Sequence, residues 1–281
     1  MLNAIYCAYS IPIVVRRAGR GDIGTLARAA RGGLVSVARA GEALGLPPRA
    51  TTLRLTRLAR AGWLRRVRRG LYLLLPLEAR SERAATVEDP WILAGELFAP
   101  CYVGGWSAAE HWGLTEQIFR SIFVVTAAPI RRRAETIAGA DFRLVRTNSR
   151  RVKAAKAVWR GTERVSVSDR EQTLADGLAS PGWVGGVRHL ADMLTTYRAS
   201  PEWNPSRLVE SVRAVGMGSA LKRLGYLAET LWPDETAMPA AARKKLSAGL
   251  VSLDPTVRAP GRINKRWGLR VNVAVNQGAR E

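Results

Sequence analysis

The chain has 281 residues, of which 44 are lysine or arginine and 23 are aspartate or glutamate, so its net charge is +21. Such a charge favours nucleic acid or another anionic surface as a partner. The length and 47% apolar residues are enough for two domains with separate cores. No run approaches the 18 uninterrupted apolar residues of a transmembrane helix, and the two distant cysteines, Cys7 and Cys101, indicate a reducing compartment. We therefore expect a cytoplasmic protein without a membrane partner.

The chain begins with a predicted apolar extension over residues 1–20. Its basic residues follow the apolar run, whereas a secretory signal places them before it. The first domain is predicted over 21–82, with a helix at 21–30. Residues 78–89 are polar and aperiodic and end before Pro90, which predicts a boundary there and a second domain over 83–281.

Residues 38–75 predict a helix-turn-helix followed by a β-hairpin. A short helix over 38–44 ends at Gly45. The next helix begins at Pro48, whose φ suits a first helical position, and ends before Gly62. The β-rich runs 63–67 and 71–75 flank a glycine-containing turn, which is typical of a hairpin. This order of elements is that of a winged helix.

The second helix has two predicted faces. At about 100° per residue, Thr51, Leu55 and Leu58 form an inward stripe. The rest of the helix carries four arginines, and residues 51–77 contain no acidic residue, whereas a solvated helix face normally mixes charge signs. A helix in the major groove of double-stranded DNA meets phosphates and guanine acceptors, which suits arginine. The predicted DNA-binding residues on the helix and hairpin are Arg49, Thr52, Leu53, Arg54, Thr56, Arg57, Arg60, Arg65, Arg66, Arg68 and Arg69.

The second domain has a mixed pattern of apolar residues. A capping box is predicted at 168–171, with Ser168 as the N-cap of a helix that runs to about residue 178. Predicted strands cover 118–126, 142–146, 154–159 and 164–167. Other predicted helices cover 91–97, 107–112, 187–198, 207–215, 219–231 and 240–248. The expected fold class is α+β: an N-terminal winged helix-turn-helix domain and a larger mixed α/β C-terminal domain ending in helices.

A second basic group lies at 131–164, with 11 basic and 3 acidic residues. Three roles are open for it: it extends the DNA footprint, binds an acidic face of a partner, or contacts tRNA held by a toxin. The predicted secondary surface consists of Arg131, Arg132, Arg133, Arg150, Arg151, Lys153 and Lys156.

Motifs of catalysis are missing from the sequence. It has no P-loop, H-E-x-x-H, paired-cysteine zinc spacing or G-x-S-x-G. His111 and His189 are the only histidines, which argues against histidine metal clusters and most catalytic triads. The acidic residues Asp169, Glu171 and Asp176 leave a carboxylate-only nuclease open, although capping and ion pairing explain them more simply. We therefore expect that the protein is not an enzyme and that it binds neither a metal nor a cofactor.

Four motifs resemble AbiEi-type antitoxins, which belong to type IV abortive-infection toxin–antitoxin pairs. Residues 102–115 are similar to the family's G-W-S-A-x-x-x-x-G-L-T segment, and 166–186 to its D-x-E-x-T-L-x-D…P…G-G block. Residues 223–229 resemble its R-L-G-Y-L-x-E motif, and 253–272 its L-D-P…W-x-L-x-V-N run. The four occur in the family's order, and the resemblance covers about residues 38–273.

Each motif also has a structural interpretation. Gly104 and Gly105 indicate a tight turn or a close approach of backbone. His111 is expected to be a structural histidine, and Arg223 and Glu229 are expected to fix the packing between helices.

The resemblance implies an antitoxin that represses its own operon. Its expected partner is the double-stranded DNA of its own promoter operator, with a homodimer on that DNA as one expectation. It also implies neutralisation of a cognate nucleotidyltransferase-like toxin, with or without a stable complex. One alternative is a winged-helix transcription regulator without a toxin, whose C-terminal domain senses a ligand or dimerises. Another is an RNA-binding or nuclease-like protein.

Overall fold

A computed structural model describes residues 20–75 and 89–275. They fall into two compact units, separated between residues 75 and 89. The predicted extension at 1–20, apart from Arg20, and the predicted boundary at 82/83 lie outside the described residues.

The first unit has three helices and a small sheet. The elements are α1 (Arg20–Ala29), β1 (Leu34–Ser36), α2 (Val37–Leu44), α3 (Pro48–Arg60), β2 (Leu64–Arg68) and β3 (Leu71–Leu74). The sheet has the order β1-β3-β2 and is antiparallel. Its core is formed by apolar residues of every element, including Leu26, Val35, Leu55, Leu64 and Tyr72. The unit has the element order predicted for a winged helix.

Local turn chemistry places α2 and α3. The Ser36 side chain accepts a hydrogen bond from the Arg39 N–H (3.2 Å) and caps α2. Gly45 ends α2 with a left-handed φ of 65°, a conformation that costs glycine little. Gly62 (φ 79°) follows α3, and its N–H donates to the carbonyl of Ala59 (3.1 Å). Gly45 therefore sets the end of α2, and Gly62 sets the end of α3.

The second unit contains a mixed sheet and a group of helices. The first elements are α4 (Pro90–Phe98), β4 (Cys101–Val103), α5 (Gly105–His111), β5 (Ser121–Thr126), β6 (Ala134–Ile137), β7 (Ala140–Arg146), α6 (Ser149–Lys153), β8 (Lys156–Arg160) and β9 (Glu163–Val167). The later elements are α7 (Arg170–Ala179), a 3₁₀ turn (Pro181–Trp183), α8 (Val187–Ala199), α9 (Pro205–Val215), α10 (Gly218–Leu231), α11 (Ala237–Arg243), β10 (Val251–Ser252), β11 (Arg262–Asn264) and β12 (Leu269–Val271).

The six-stranded sheet of this unit has the order β6-β7-β5-β4-β9-β8. β5 pairs with β7, and β4 with β9, in parallel, and the other three pairings are antiparallel. A second, three-stranded sheet has the order β10-β12-β11. The α+β class is confirmed. Among the described residues, no helix has the length and apolar character needed to cross a membrane.

Two details of the second unit correct the sequence analysis. The N-cap of α7 is Asp169, whose carboxylate accepts from the Gln172 N–H (2.9 Å), whereas Ser168 was expected there. Ser168 is buried and shares a hydrogen bond with the Thr173 hydroxyl (2.8 Å). The unit was also expected to end in helices. The last described elements are strands instead, and α11 stops at Arg243.

The family-like motifs meet one another in the core of this unit. The Tyr102 hydroxyl donates to Asp176 (2.7 Å), and the indole N–H of Trp112 donates to the carbonyl of Ser168 (2.6 Å). These two bonds join the first motif to the second. Gly105 has a φ of 52°, and a Cβ there would lie 2.4 Å from the carbonyl oxygen of Trp183, so the expected close approach is confirmed.

The third and fourth motifs meet through buried polar groups. The guanidinium of Arg223 is 4% exposed and donates to four backbone carbonyls, those of Leu178, Ala179, Ser252 and Leu253. Trp267 packs on Gly225 so closely that a Cβ on Gly225 would lie 2.0 Å from its ring, and its indole N–H donates to Glu229 (2.6 Å). The packing role expected between helices is confirmed for Arg223, which joins α10 to the end of α7, whereas Glu229 instead contacts the turn between β11 and β12.

Candidate nucleic-acid interface

The helix α3 presents one buried and one exposed face. Thr51, Leu55 and Leu58 are buried against the rest of the first unit. The opposite side carries three exposed arginines that have no ion pair among the described residues, namely Arg49, Arg57 and Arg60. Arg57 and Arg60 lie one turn apart. This is the face that the sequence analysis predicts to contact DNA.

The exposed side of α3 also carries uncharged residues that could contact DNA. Leu53 is 55% exposed, an apolar side chain suited to contact with a thymine methyl group. The Thr52 hydroxyl donates to the carbonyl of Pro48 (2.9 Å), and the Thr56 hydroxyl to that of Thr52 (2.8 Å). Each hydroxyl hydrogen is therefore engaged within the helix, which leaves these threonines as acceptors toward a base or an amino group.

Arg54 has a structural partner that the sequence did not reveal. Its Nε lies 2.6 Å from the Oδ2 of Asp22, and its Nη2 contacts the same oxygen. Both side chains are largely buried, at 14% and 19% exposed. The pair joins α3 to α1, so Arg54 orients the helix and does not stand on its exposed face. The prediction of Arg54 as a DNA-contacting residue is not supported by this geometry.

The wing is the hairpin of β2 and β3. The pairing of β2 with β3 changes register at a β-bulge between Arg66 and Arg68. Gly70 forms the tip of the hairpin with a φ of 80°. Arg66, Arg68 and Arg69 are exposed, and Arg65 is half-buried. Among the described residues, Arg66 and Arg69 have no ion pair, so these two are the wing residues best placed to meet phosphates.

The predicted secondary surface divides into two groups. Arg131, Arg132 and Arg133 precede β6 and are exposed, as are Arg150 and Lys153 on α6. Arg151 instead forms an ion pair with Asp176, whose side chain is fully buried. Lys156 lies 3.4 Å from Asp169. Arg151 is therefore held by a carboxylate of α7 and does not belong to the exposed basic surface, whereas Lys156 keeps 51% of its side chain exposed.

Burial shifts the titration of the Asp176 network. Loss of solvent raises the pKa of Asp176, and the charge of Arg151 and the Tyr102 hydroxyl oppose that rise. Burial and the neighbouring carboxylate both raise the pKa of Tyr102 well above its usual value. Tyr102 is thus a neutral donor at physiological pH.

The residues considered for catalysis are occupied by structural contacts. Among the described residues, no three histidine, cysteine or acidic side chains gather as a metal site. Glu171 accepts from the Tyr197 hydroxyl (2.8 Å). His111 packs edge-on against Trp91 and Trp112, and burial followed by the charges of nearby arginines lowers its pKa. Burial raises the pKa of the Cys101 thiol to about 12, so it stays protonated.

The chain is similar in fold to a solved structure. The crystal structure of the RV2827C protein from Mycobacterium tuberculosis matches with a TM-score of 0.57 and 19% sequence identity, over 88% of each chain. At that identity the likeness shows the fold alone. No curated protein matches the chain.

A family model matches the first unit. Residues 25–75 match the family described as "Transcriptional regulator, AbiEi antitoxin". The matched residues run from α1 to the end of the wing and include every predicted DNA-binding residue. The match agrees with the AbiEi-type resemblance over the first unit, whereas the four motifs that carry the resemblance lie in the second unit, outside the matched residues.

Proposed function

We propose that this protein is a DNA-binding antitoxin that represses its own operon and neutralises a cognate nucleotidyltransferase-like toxin. The observation that carries the DNA-binding part is the exposed face of α3, where three arginines have no ion pair within the described residues. A helix of this kind enters the major groove, and its arginines recognise guanine O6 and N7. The family match over residues 25–75 supports transcription regulation as the outcome.

The two units have separate tasks in this proposal. The first unit binds the operator in the protein's own promoter, as a homodimer on a two-fold symmetric site, and the second unit neutralises the toxin, with or without a stable complex. Neither task requires catalysis, and we propose that the protein is not an enzyme and acts in the cytoplasm, where the operator lies.

Two assays on the full chain test the two tasks. Fluorescence anisotropy with the promoter duplex measures operator binding, and growth rescue on co-expression with the adjacent toxin gene measures neutralisation. The R57A/R60A variant should lose operator binding and retain rescue. R258A/R262A, which removes two exposed arginines of the second unit outside the 131–164 basic group, is the matched control and should retain both.

The outcomes separate the parts of the proposal. A wild-type chain that binds random duplex as tightly as its promoter would contradict the repressor role. A wild-type chain that binds its promoter but never rescues growth would support a regulator without a toxin. Loss of rescue in folded R57A/R60A would mean that neutralisation depends on DNA binding.

A further inference from the structure

A cavity of about 360 Å³ lies in the second unit, lined by α6, α7 and α9. Its volume is in the range of sites for small molecules. None of the predicted DNA-binding residues lines it, and the antitoxin role proposed above gives it no task. Two arginines of the predicted secondary surface, Arg150 and Arg151, line this cavity.

The buried wall of the cavity is a closed polar network. Asp176 is fully buried, and it accepts hydrogen bonds from Tyr102 (2.7 Å) and from Arg151. The Arg151 guanidinium also lies over the Trp183 ring, 5.5 Å from its centre. Because its charge is balanced by Arg151, Asp176 does not repel an anion that enters the cavity.

The second carboxylate of the lining is balanced as well. Asp169 accepts from Arg207 (2.6 Å), lies 3.4 Å from the Lys156 ammonium and caps α7. With both carboxylates paired, the excess charge of the cavity is positive. Arg150 provides it, because its exposed guanidinium has no ion pair within the described part of the chain.

Apart from Asn148 and Gln172, whose side chains are polar, the remaining wall is small and largely apolar. Ala154, Ala214 and Val215 line it, next to the hydroxyl-bearing Ser211. A ligand for this cavity therefore needs an anionic group for Arg150 and an uncharged body that packs on the alanines and valine. A guanidinium recognises a phosphate by two parallel hydrogen bonds, which favours phosphate as the anionic group.

We propose that this cavity binds a small phosphate monoester with an apolar or planar body. Arg150 contacts the phosphate at the mouth, and the wall of α9 receives the body. A nucleoside monophosphate has both parts and is the probe of choice. None of the residues that line the cavity lies on α3 or the wing.

Isothermal titration calorimetry of the full chain with AMP, adenosine and inorganic phosphate tests this site. We expect saturable binding of AMP, weaker binding of phosphate and no binding of adenosine. R150A should weaken AMP binding by about tenfold or more, the usual loss for a hydrogen-bonded charged contact. The control R143A removes another exposed arginine, one outside the cavity, and should leave the affinity unchanged.

A second variant tests the apolar wall. A214F should fill the cavity and abolish AMP binding, while urea denaturation followed by tryptophan fluorescence should show that the second unit remains folded. The proposal is overturned if AMP shows no saturable binding, if adenosine binds as tightly as AMP, or if R150A and R143A weaken AMP equally. An aromatic carboxylate that binds more tightly than AMP would overturn the assignment of phosphate.

Discussion

The arginines of the two units differ in what surrounds them. On α3 and the wing, Arg57, Arg60 and Arg66 are exposed and have no ion pair within the described residues. In the second unit, Arg151 is bound to a buried carboxylate and Arg223 to four backbone carbonyls. The same residue type therefore forms an exposed surface on α3 and the wing, and it also supports the core of the second unit.

Arginine content alone therefore does not locate a nucleic-acid interface. Taking a guanidinium out of water is costly unless its donors are satisfied, so a buried arginine reports a structural network. An exposed arginine far from carboxylates keeps its donors for a ligand. Arg54 is one arginine of the first unit whose donors are engaged, because Asp22 removes it from the exposed face.

The largest effect is expected at Arg223. In R223M, four buried carbonyls lose their donor, and each unsatisfied buried acceptor costs about 1–3 kcal/mol. We expect the free energy of unfolding of the second unit to fall by about 3 kcal/mol or more. Urea denaturation followed by tryptophan fluorescence measures this, with R143M as the exposed control. Equal stability of the two variants would contradict a core role for Arg223.

The next effect concerns base recognition by α3. R57A should weaken operator binding by about 1–3 kcal/mol and remove the preference at one base pair, because a bidentate contact to a base edge is lost. Gel shifts against an operator mutated one base pair at a time measure both quantities. An unchanged sequence preference would show that this face does not read bases.

A smaller and different effect is expected at the wing. The double variant R66A/R69A should weaken binding to operator and random DNA alike, and the salt dependence of binding should fall by about 1 for each lost phosphate contact. Affinities measured at several salt concentrations give this slope. Selective loss at the operator with an unchanged slope would mean that the wing reads bases instead.

The smallest effect is expected at the pair of Arg54 and Asp22. Because the pair is only partly shielded, R54A should lower the stability of the first unit by about 1 kcal/mol or less. D22A should cost a similar amount, and the double variant little more than either single one, as expected for one shared interaction. Additive losses from thermal unfolding would indicate that the two residues act separately.

The winged helix could be predicted from sequence because its signals are local. Gly45, Pro48 and Gly62 each specify backbone conformations within a few residues, and the apolar stripe of α3 follows from helical periodicity. The partner of Arg54 could not be predicted in this way, since Asp22 is 32 residues away and pairs only after α1 packs on α3.

The second unit was harder to predict for the same reason. Its last strands have two or three residues each, too few to show alternation, so residues up to 248 were assigned to helix. Arg151 was predicted to lie on a basic surface because Asp176, its partner, is 25 positions along the chain. Long-range pairing decides which basic residues stay exposed.

The most direct test of the account is operator binding by two matched triple variants of the full chain. One variant replaces Arg49, Arg57 and Arg60 on α3 by alanine, and the other replaces Arg131, Arg132 and Arg133 of the second unit. Each removes three exposed positive charges. The account predicts that fluorescence anisotropy shows loss of preference for the operator over random duplex in the α3 variant alone. The account would be contradicted if the variant of Arg131, Arg132 and Arg133 lost its preference for the operator while the α3 variant kept it.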